Sequence, residues 1–307
     1  MNFDDSEIEE FNENTKMKII ENQNHFCKSF GLFIDLKIEN LIIKKSLNFN
    51  NISFNLFLYK KIDEVSKTIQ KYGAWEKKES INLLNGLNFY SKKKMLQSNN
   101  ITILDIGANI GWYSFLLGKL GYEIFSFEVS NINSYILKKN FCLNNDTNIT
   151  IINKGIGLSE EKCLLHHPSQ NIGDAIVLCG KNANIPRKND DFIEEIKFTK
   201  LKNYIPYLSI KNLALIKIDI EGSEGKAINS GIELITKYHI PFIILEFVPD
   251  YLKIQGTDPK EFLETFEKNG YKISLQDFLS KNYLPIEQIL KLSDINLYIV
   301  YSDFIEK

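Results

Sequence analysis

No stretch of this chain approaches the roughly 18 consecutive apolar residues that a bilayer-spanning helix requires. The N-terminus, Met-Asn-Phe-Asp-Asp-Ser-Glu-Ile-Glu-Glu, is acidic where a secretory leader is basic and then apolar. Neither a membrane partner nor a cleaved leader is expected. An excess of one charge is lacking too: 37 Lys and Arg stand against 39 Asp and Glu, for a formal net charge of −2. That balance argues against nucleic acid as a partner, and the basic run Lys92-Lys-Lys94 is too short for a nucleic-acid footprint. Cysteine is scarce. Cys27, Cys142, Cys163 and Cys179 show no C-x-x-C spacing, and no His/Cys constellation suggests zinc. The expectation is reduced, structural thiols in a cytoplasmic setting.

Apolar material is plentiful. With 307 residues, 44% hydrophobic and 12% aromatic, the chain can bury a full core and exceeds what one doubly wound α/β domain needs. Three regions follow. Residues 1–30 are polar and charge-dense and read as a mobile arm or a loosely docked helix. Residues 31–98 form an N-terminal addition in which Leu32 to Ile38 and Asn51 to Tyr59 alternate at period two, suggesting a short antiparallel meander. Helical spacing then runs from Ile62 to Gly86, broken at Gly73. Residues 99–307 alternate strand and helix, the pattern of a mostly parallel sheet with helices on both faces. Within them 155–210 is strand-rich and irregular, the kind of insertion that builds an acceptor side, and 180–191 is a polar loop. A helix Pro259 to Lys268 and strands Tyr271 to Leu275 and Asn296 to Tyr301 complete the reading.

The sharpest local feature is Ile101-Thr-Ile-Leu-Asp105-Ile-Gly107-Ala-Asn109-Ile-Gly111-Trp-Tyr-Ser114, an apolar strand passing through a glycine turn into an amphipathic segment. Gly107 and Gly111 permit close backbone approach, and the following helix offers free amide donors. Asp105 at the strand end is unsuited to a phosphate loop. The spacing Gly107-x-x-x-Gly111 also departs from the G-x-G-x-x-G of dinucleotide sites. S-adenosylmethionine, which is cationic and phosphate-free, fits better than NAD. Glu128, ending the next strand, can accept both ribose hydroxyls of either cofactor.

Several motifs together resemble the FkbM-type family of S-adenosylmethionine-dependent methyltransferases. "LDIGANIGWYS" is similar to its first cofactor motif, and "FSFEVSNINSYILKKNFCLNN" to its second strand and helix with a Leu-x-x-Asn ending at Asn140. "LIKIDIEGSEGKAINSG" resembles the strand-four motif, and "FIILEF" the fifth strand. "IDEVSKTIQKYGAWEKKES", with Trp75 and Glu76, resembles an element that closes over the cofactor. The similarity spans roughly residues 60–250. "KFTKLKNYI" departs from it, placing Lys202 where an acid is usual. The resemblance implies a Rossmann-like class I methyltransferase fold with a seven-stranded sheet. It also implies transfer of a methyl group to a hydroxyl of a sugar, a glycan or another small metabolite. A catalytically inactive partner subunit and a dinucleotide-dependent oxidoreductase are the alternatives.

Asp105, Glu128, Asp219 and Glu246 all end strands, where ligands of open α/β sheets bind. Asp219 is the expected general base or acidic ligand nearest the acceptor oxygen, with Glu221, Glu246 and His167 as further candidates. Glu224 is expected to stabilise the next helix's N-terminus. Oxygen ligands from Asp219 and Glu246 would suit a divalent ion, and a hydrogen bond to Lys, Tyr or backbone is the alternative. Of the adjacent His166 and His167, at most one is expected to face the site. Trp75 is read either as a cover over the cofactor or as a core residue joining the N-terminal addition to the sheet.

Overall fold

The computed structural model describes residues 13–29, 36–168, 171–172, 175–179, 192–208 and 210–306. Among the described residues the strands are β1 Ile42–Phe49, β2 Ile52–Tyr59, β3 Thr102–Ile106, β4 Glu123–Phe127, β5 Ile149–Ile152, β6 Gly155–Ile156, β7 Lys162–His167, β8 Ile176–Leu178, β9 Phe192–Thr199, β10 Leu213–Ile218, β11 Phe242–Phe247, β12 Tyr271–Ser274 and β13 Ile295–Tyr301. A seven-stranded sheet in the order β12-β13-β11-β10-β3-β4-β5 forms the centre. Only the β11–β13 and β12–β13 pairs are antiparallel. The α/β reading of the alternation therefore holds. The chain runs outward through β3, β4 and β5, then returns to add β10 on the other side of β3, so β3 and β10 flank the topological switch.

The inner strands are mostly apolar because both faces are covered. Ile103, Ile124, Phe242 and Ile244 join one buried cluster, while Leu104, Ile106, Phe125, Ile243 and Leu245 join the cluster on the opposite face. The first cluster also contains Phe54, Leu56, Leu58 and Leu87 of the N-terminal addition. This addition thus shares the core of the sheet it covers.

Local signals set the element ends. The helix Glu64–Tyr72 is capped by Asp63, whose Oδ2 accepts from Ser66 N at 2.6 Å, and it stops at Gly73, which is left-handed at φ 76°. Helix Pro259–Lys268 begins with the Asp258 cap and a proline, and buries Phe262, Leu263 and Phe266. The expected meander is instead a two-stranded hairpin, β1–β2, turning at Asn50 and Asn51 with φ of 50° and 65°. Leu36–Glu39 is a helical turn where the period-two pattern suggested strand, and 30–35 lie outside the described residues.

Of the polar segment 1–30, residues 13–28 are a docked helix, Glu13–Lys28, one of the two forms expected, and 1–12 lie outside the described residues. The Gln23 side chain completes the exposed edge of β5, donating to Ile149 O at 3.0 Å and accepting from Ile151 N at 2.8 Å. Its polar composition understated this, because the docking combines that amide with a few apolar contacts, of Ile19, Phe26 and Cys27. The cysteines are not the expected reduced thiols: Cys27 pairs with Cys142 and Cys163 with Cys179, with Cα separations of 5.3 and 4.6 Å. Partners 115 and 16 residues apart leave no local spacing to read. The cytoplasmic expectation rested on reduced thiols, and these pairs remove that ground.

The irregular insertion forms a small sheet in the order β6-β9-β7-β8 around Cys163, Leu165, Ile196 and Phe198. The loop 180–191 lies outside the described residues.

Candidate active site

Strand register brings the site together. Ile106 of β3 is paired with both Phe127 of β4 and Ile218 of β10, and Ile218 with Leu245 of β11. The next residue on each strand, Gly107, Glu128, Asp219 and Glu246, therefore stands at one level along the sheet's carboxyl edge. Between them opens a cleft of about 300 Å³.

The glycine turn is shaped by the protein itself. Gly107 sits at φ +80°, and a Cβ there would lie 1.8 Å from the Asp219 carbonyl oxygen. Gly111, at φ +97°, would drive a Cβ to 2.5 Å from both Leu137 and Phe115. Close packing of β10 and of helix Asn131–Leu143 thus demands these glycines before any ligand does. Asn140 on that helix donates to Ile110 O at 2.8 Å and accepts from Phe57 N, tying the turn to the β2 edge.

Glu128 is buried, and both of its oxygens accept backbone amides: Oε2 from Asn109 N at 2.7 Å and Oε1 from Ser130 N at 2.8 Å. Burial pushes its pKa up to about 7 against the pull of those two donors. Each carboxylate oxygen retains a further lone pair, so a ribose diol can still be accepted on the cleft side.

Lys217 is the residue that sequence reasoning missed. It interrupts the apolar strand β10, and its Nζ donates to Gly107 O and Asp219 Oδ2, each at 3.1 Å. Asp105 Oδ1 lies 3.9 Å away. Burial disfavours the ammonium, but Asp219, Asp105 and Glu76 outweigh it and hold the pKa above the usual lysine range. The available signal was a lone charge in "LIKI", since a lysine in a strand covered on both faces needs a counter-ion.

Asp219, Glu221 and Glu246 present carboxylate oxygens within 4.8 Å of one another. Glu246 has its pKa pushed up to about 8 by burial and then by the charges of Asp219, Glu221 and Glu224. Glu221 occupies a left-handed conformation at φ 53° beside Gly222 at φ 91°. Glu224 braces this bend by accepting from Ile220 N at 3.0 Å and Gly222 N at 3.3 Å, a more specific task than helix-end electrostatics. The close approach at Gly222 is to protein, because a Cβ there would sit 2.6 Å from Tyr251 Cβ.

Gly107, Asn109, Glu128, Trp75, Glu76, Asp219, Glu221 and Glu246 all line the cleft. Trp75 joins the wall and also packs against the core shared by the N-terminal addition and the sheet. Glu76 spans three elements, accepting from Tyr113 OH at 2.6 Å and from Asn296 Nδ2 at 3.1 Å. Asp105 and Gly111 stand behind the lining residues. Asp105 is buried and accepts from Ser114 Oγ at 2.5 Å. It reaches the site through Lys217 rather than by facing a ligand.

His167 is not brought to the cleft wall. It is buried in the insertion, with Nδ1 2.9 Å from Ile172 O and Nε2 2.7 Å from Glu194 Oε1. A carbonyl can only accept, so Nδ1 carries a proton, and both ring nitrogens are committed to the fold. Lys202 is exposed and lies away from the cleft.

Charge sign is the cleft's main chemical character. Its walls carry Asp63, Glu64, Glu76, Glu128, Asp219, Glu221 and Glu246 against Lys154 and Lys217. A cationic cofactor is favoured there, and the pyrophosphate of a dinucleotide is not.

The family model described as methyltransferase FkbM domain matches residues 105–273, more than half of the chain, and the protein belongs to that family. It is a methyltransferase of the class that uses S-adenosylmethionine. Among solved structures, the bifunctional kinase-methyltransferase WbdD is similar at 12% identity and TM-score 0.45, over 76% of this chain and 41% of that one. The T. thermophilus 16S rRNA N2 G1207 methyltransferase RsmC, in complex with AdoMet and guanosine, is similar at 11% identity and TM-score 0.41, over 85% and 50%. A ribosomal protein L11 methylase from Lactobacillus delbrueckii subsp. bulgaricus gives 13% and 0.36, over 74% and 80%. The chain thus spans less than half of WbdD. No curated protein matches it in sequence.

Proposed function

We propose that this FkbM-family protein is an O-methyltransferase that methylates a hydroxyl of a sugar, a glycan or another small metabolite. The observation that carries the reading is the Asp219, Glu221 and Glu246 cluster, set at one end of an acid-rich cleft whose other end holds Glu128 and the glycine turn. When bound, S-adenosylmethionine supplies a methyl group on a sulfonium. Glu128 would accept the ribose hydroxyls, and the backbone at Gly107 and Asn109 would lie along the cofactor. The remaining carboxylates favour its positive charges.

An alcohol is a poor nucleophile until its proton is taken. Lys217 occupies Asp219 Oδ2 and fixes the side chain, leaving Oδ1 to orient an acceptor hydroxyl. Glu246 is then the better proton acceptor, since its pKa near 8 matches a base working close to neutral pH. The sequence-based choice of Asp219 as base thus becomes an orienting role, with Glu246 taking the proton. The same three carboxylates form an oxygen-only donor set suited to a hard divalent ion. With Lys217 already neutralising Asp219, the metal-free arrangement is preferred.

Calorimetric titration with S-adenosylhomocysteine and with NAD tests the cofactor assignment. Tight binding of the first and none of the second is expected, and the reverse would replace the methyltransferase reading of the cleft. Methyl transfer from labelled cofactor to an array of sugars, phenols and amines tests the acceptor, with label expected on hydroxyl oxygen. Label on nitrogen alone would overturn the O-methyl assignment.

A further inference from the structure

A second cavity of about 340 Å³ lies beyond the methyl-transfer cleft, between helix Glu13–Lys28, helix Asn131–Leu143 and the end of β5. Its electrostatic character is opposite to that of the cleft. Lys138 and Lys154 stand on its wall with the amide of Asn22, and no carboxylate is among its described lining residues. Ile19, Phe26 and Tyr204 supply apolar surface.

The two lysines are unlike their neighbours. Lys16 pairs with Glu123, Lys119 with Asp146 and Lys139 with Glu39. Among the described residues neither Lys138 nor Lys154 has a hydrogen bond or ion pair. Lys138 is half-buried, and burial alone pushes its pKa below the usual lysine range. A partly desolvated cation without a counter-ion is costly, and an anion entering from solvent removes that cost.

We propose that this cavity binds a small anionic ligand, a phosphate or carboxylate group on a compact apolar body, held by Lys138 and Lys154 with its apolar part against Ile19 and Phe26. The lysine ammonium groups act as point charges toward such oxyanions. Lys154 also lines the methyl-transfer cleft, so it forms the partition between the two sites.

Calorimetric titration of the full chain with phenyl phosphate, benzoate and benzyl alcohol tests the proposal. Saturable binding of the first, the second or both is expected, with none of the neutral alcohol. Lys138→Met should weaken the anion by about tenfold or more, as for loss of a charged hydrogen bond, while Lys138→Arg retains it. Lys138 is absent from the cleft wall, so circular dichroism and S-adenosylhomocysteine titration should match the parent chain. Should Lys138→Met fail to fold, Lys154→Gln carries the same expectation for the anion. Absence of saturable anion binding, equal binding of benzyl alcohol, or an unchanged dissociation constant in a folded variant would overturn the assignment. Failure of S-adenosylhomocysteine binding in the parent chain would bear on the cleft alone.

Discussion

Lys217 Nζ lies 3.1 Å from Asp219 Oδ2, two residues along the same strand end, and donates to Gly107 O at the same distance. One buried cation therefore holds the glycine turn and the Asp219 carboxylate together. Because Asp105 and Glu76 also lean on its charge, removing it leaves the buried Asp105 and the half-buried Glu76 and Asp219 without compensation. Lys217→Met should lose about 3–5 kcal/mol of stability by urea denaturation, the usual result of breaking a buried pair from one side. Adding Asp105→Asn should recover part of that loss, since it removes one stranded charge. Strictly additive losses would show that the two residues are not coupled.

Cofactor affinity should follow Glu128. Glu128→Ala should weaken S-adenosylhomocysteine by about 1.5–3 kcal/mol, the range for hydrogen bonds to a charged group. The same change frees the amides of Asn109 and Ser130. A comparison with Glu128→Gln separates ribose contact from turn geometry, because Gln restores one acceptor. Unchanged affinity in a folded Ala variant would remove Glu128 from the ribose. Gly107→Val should be worse, since its side chain begins inside the Asp219 carbonyl.

Most of the central sheet was legible because its physics is local. Inner strands such as β10 and β11 are short, mostly apolar runs with an acid at or just past the end, and helix Pro259–Lys268 carries its proline and its inward face in ten residues directly after its Asp258 cap. Convergence of Glu128, Asp219 and Glu246 followed from the strand-end rule and is realised by the register of β3, β4, β10 and β11. What was illegible depends on distant partners. Gln23 replacing a strand neighbour, the pairing of Cys27 with Cys142, and the commitment of His167 to Glu194 each join residues far apart in the chain. Gly107 and Gly111 were legible as required glycines, and the structure adds a reason from within the protein, their close contacts with the end of β10, with helix Asn131–Leu143 and with Phe115.

The Cys27–Cys142 bond clamps helix Glu13–Lys28 to the helix behind the glycine turn. Replacing both cysteines by serine should lower stability by about 2–5 kcal/mol, because the closed loop is long. Neither cysteine lines the methyl-transfer cleft, so S-adenosylhomocysteine affinity should hold at temperatures where the variant is folded. A thermal melt with and without reductant checks the first point and calorimetry the second.

Stability should fall as pH rises through neutrality. Burial raises Glu128 and Glu224 from 4.5 to about 7 and Glu246 from 4.5 to about 8. The folded state thus binds more protons than the unfolded state between those values. The contribution is fully present below about pH 4.5 and is lost as pH passes 7 to 8. Melting temperature should decline between about pH 5 and pH 9, and Glu246→Gln should flatten the upper part of that slope. A rising melting temperature over the same interval would contradict the burial of these three groups.

The division of labour between Asp219 and Glu246 has a kinetic signature. Asn at 219 keeps the shape and the Lys217 neighbour but alters the grip on the acceptor. Asp219→Asn should lower turnover by about 10²-fold with its pH profile intact. Gln at 246 cannot take a proton, so Glu246→Gln should lower turnover by a similar factor and abolish the limb that rises toward an apparent pKa near 8. Both should leave S-adenosylhomocysteine affinity within about threefold of the parent, roughly 0.7 kcal/mol. If the rising limb survives in Glu246→Gln and disappears in Asp219→Asn, the proton passes to Asp219 and Glu246 is the orienting group. Chelator separates both schemes from metal assistance. Activity unaffected by EDTA supports carboxylates acting alone, whereas loss restored by magnesium would make Asp219, Glu221 and Glu246 ligands of a divalent ion.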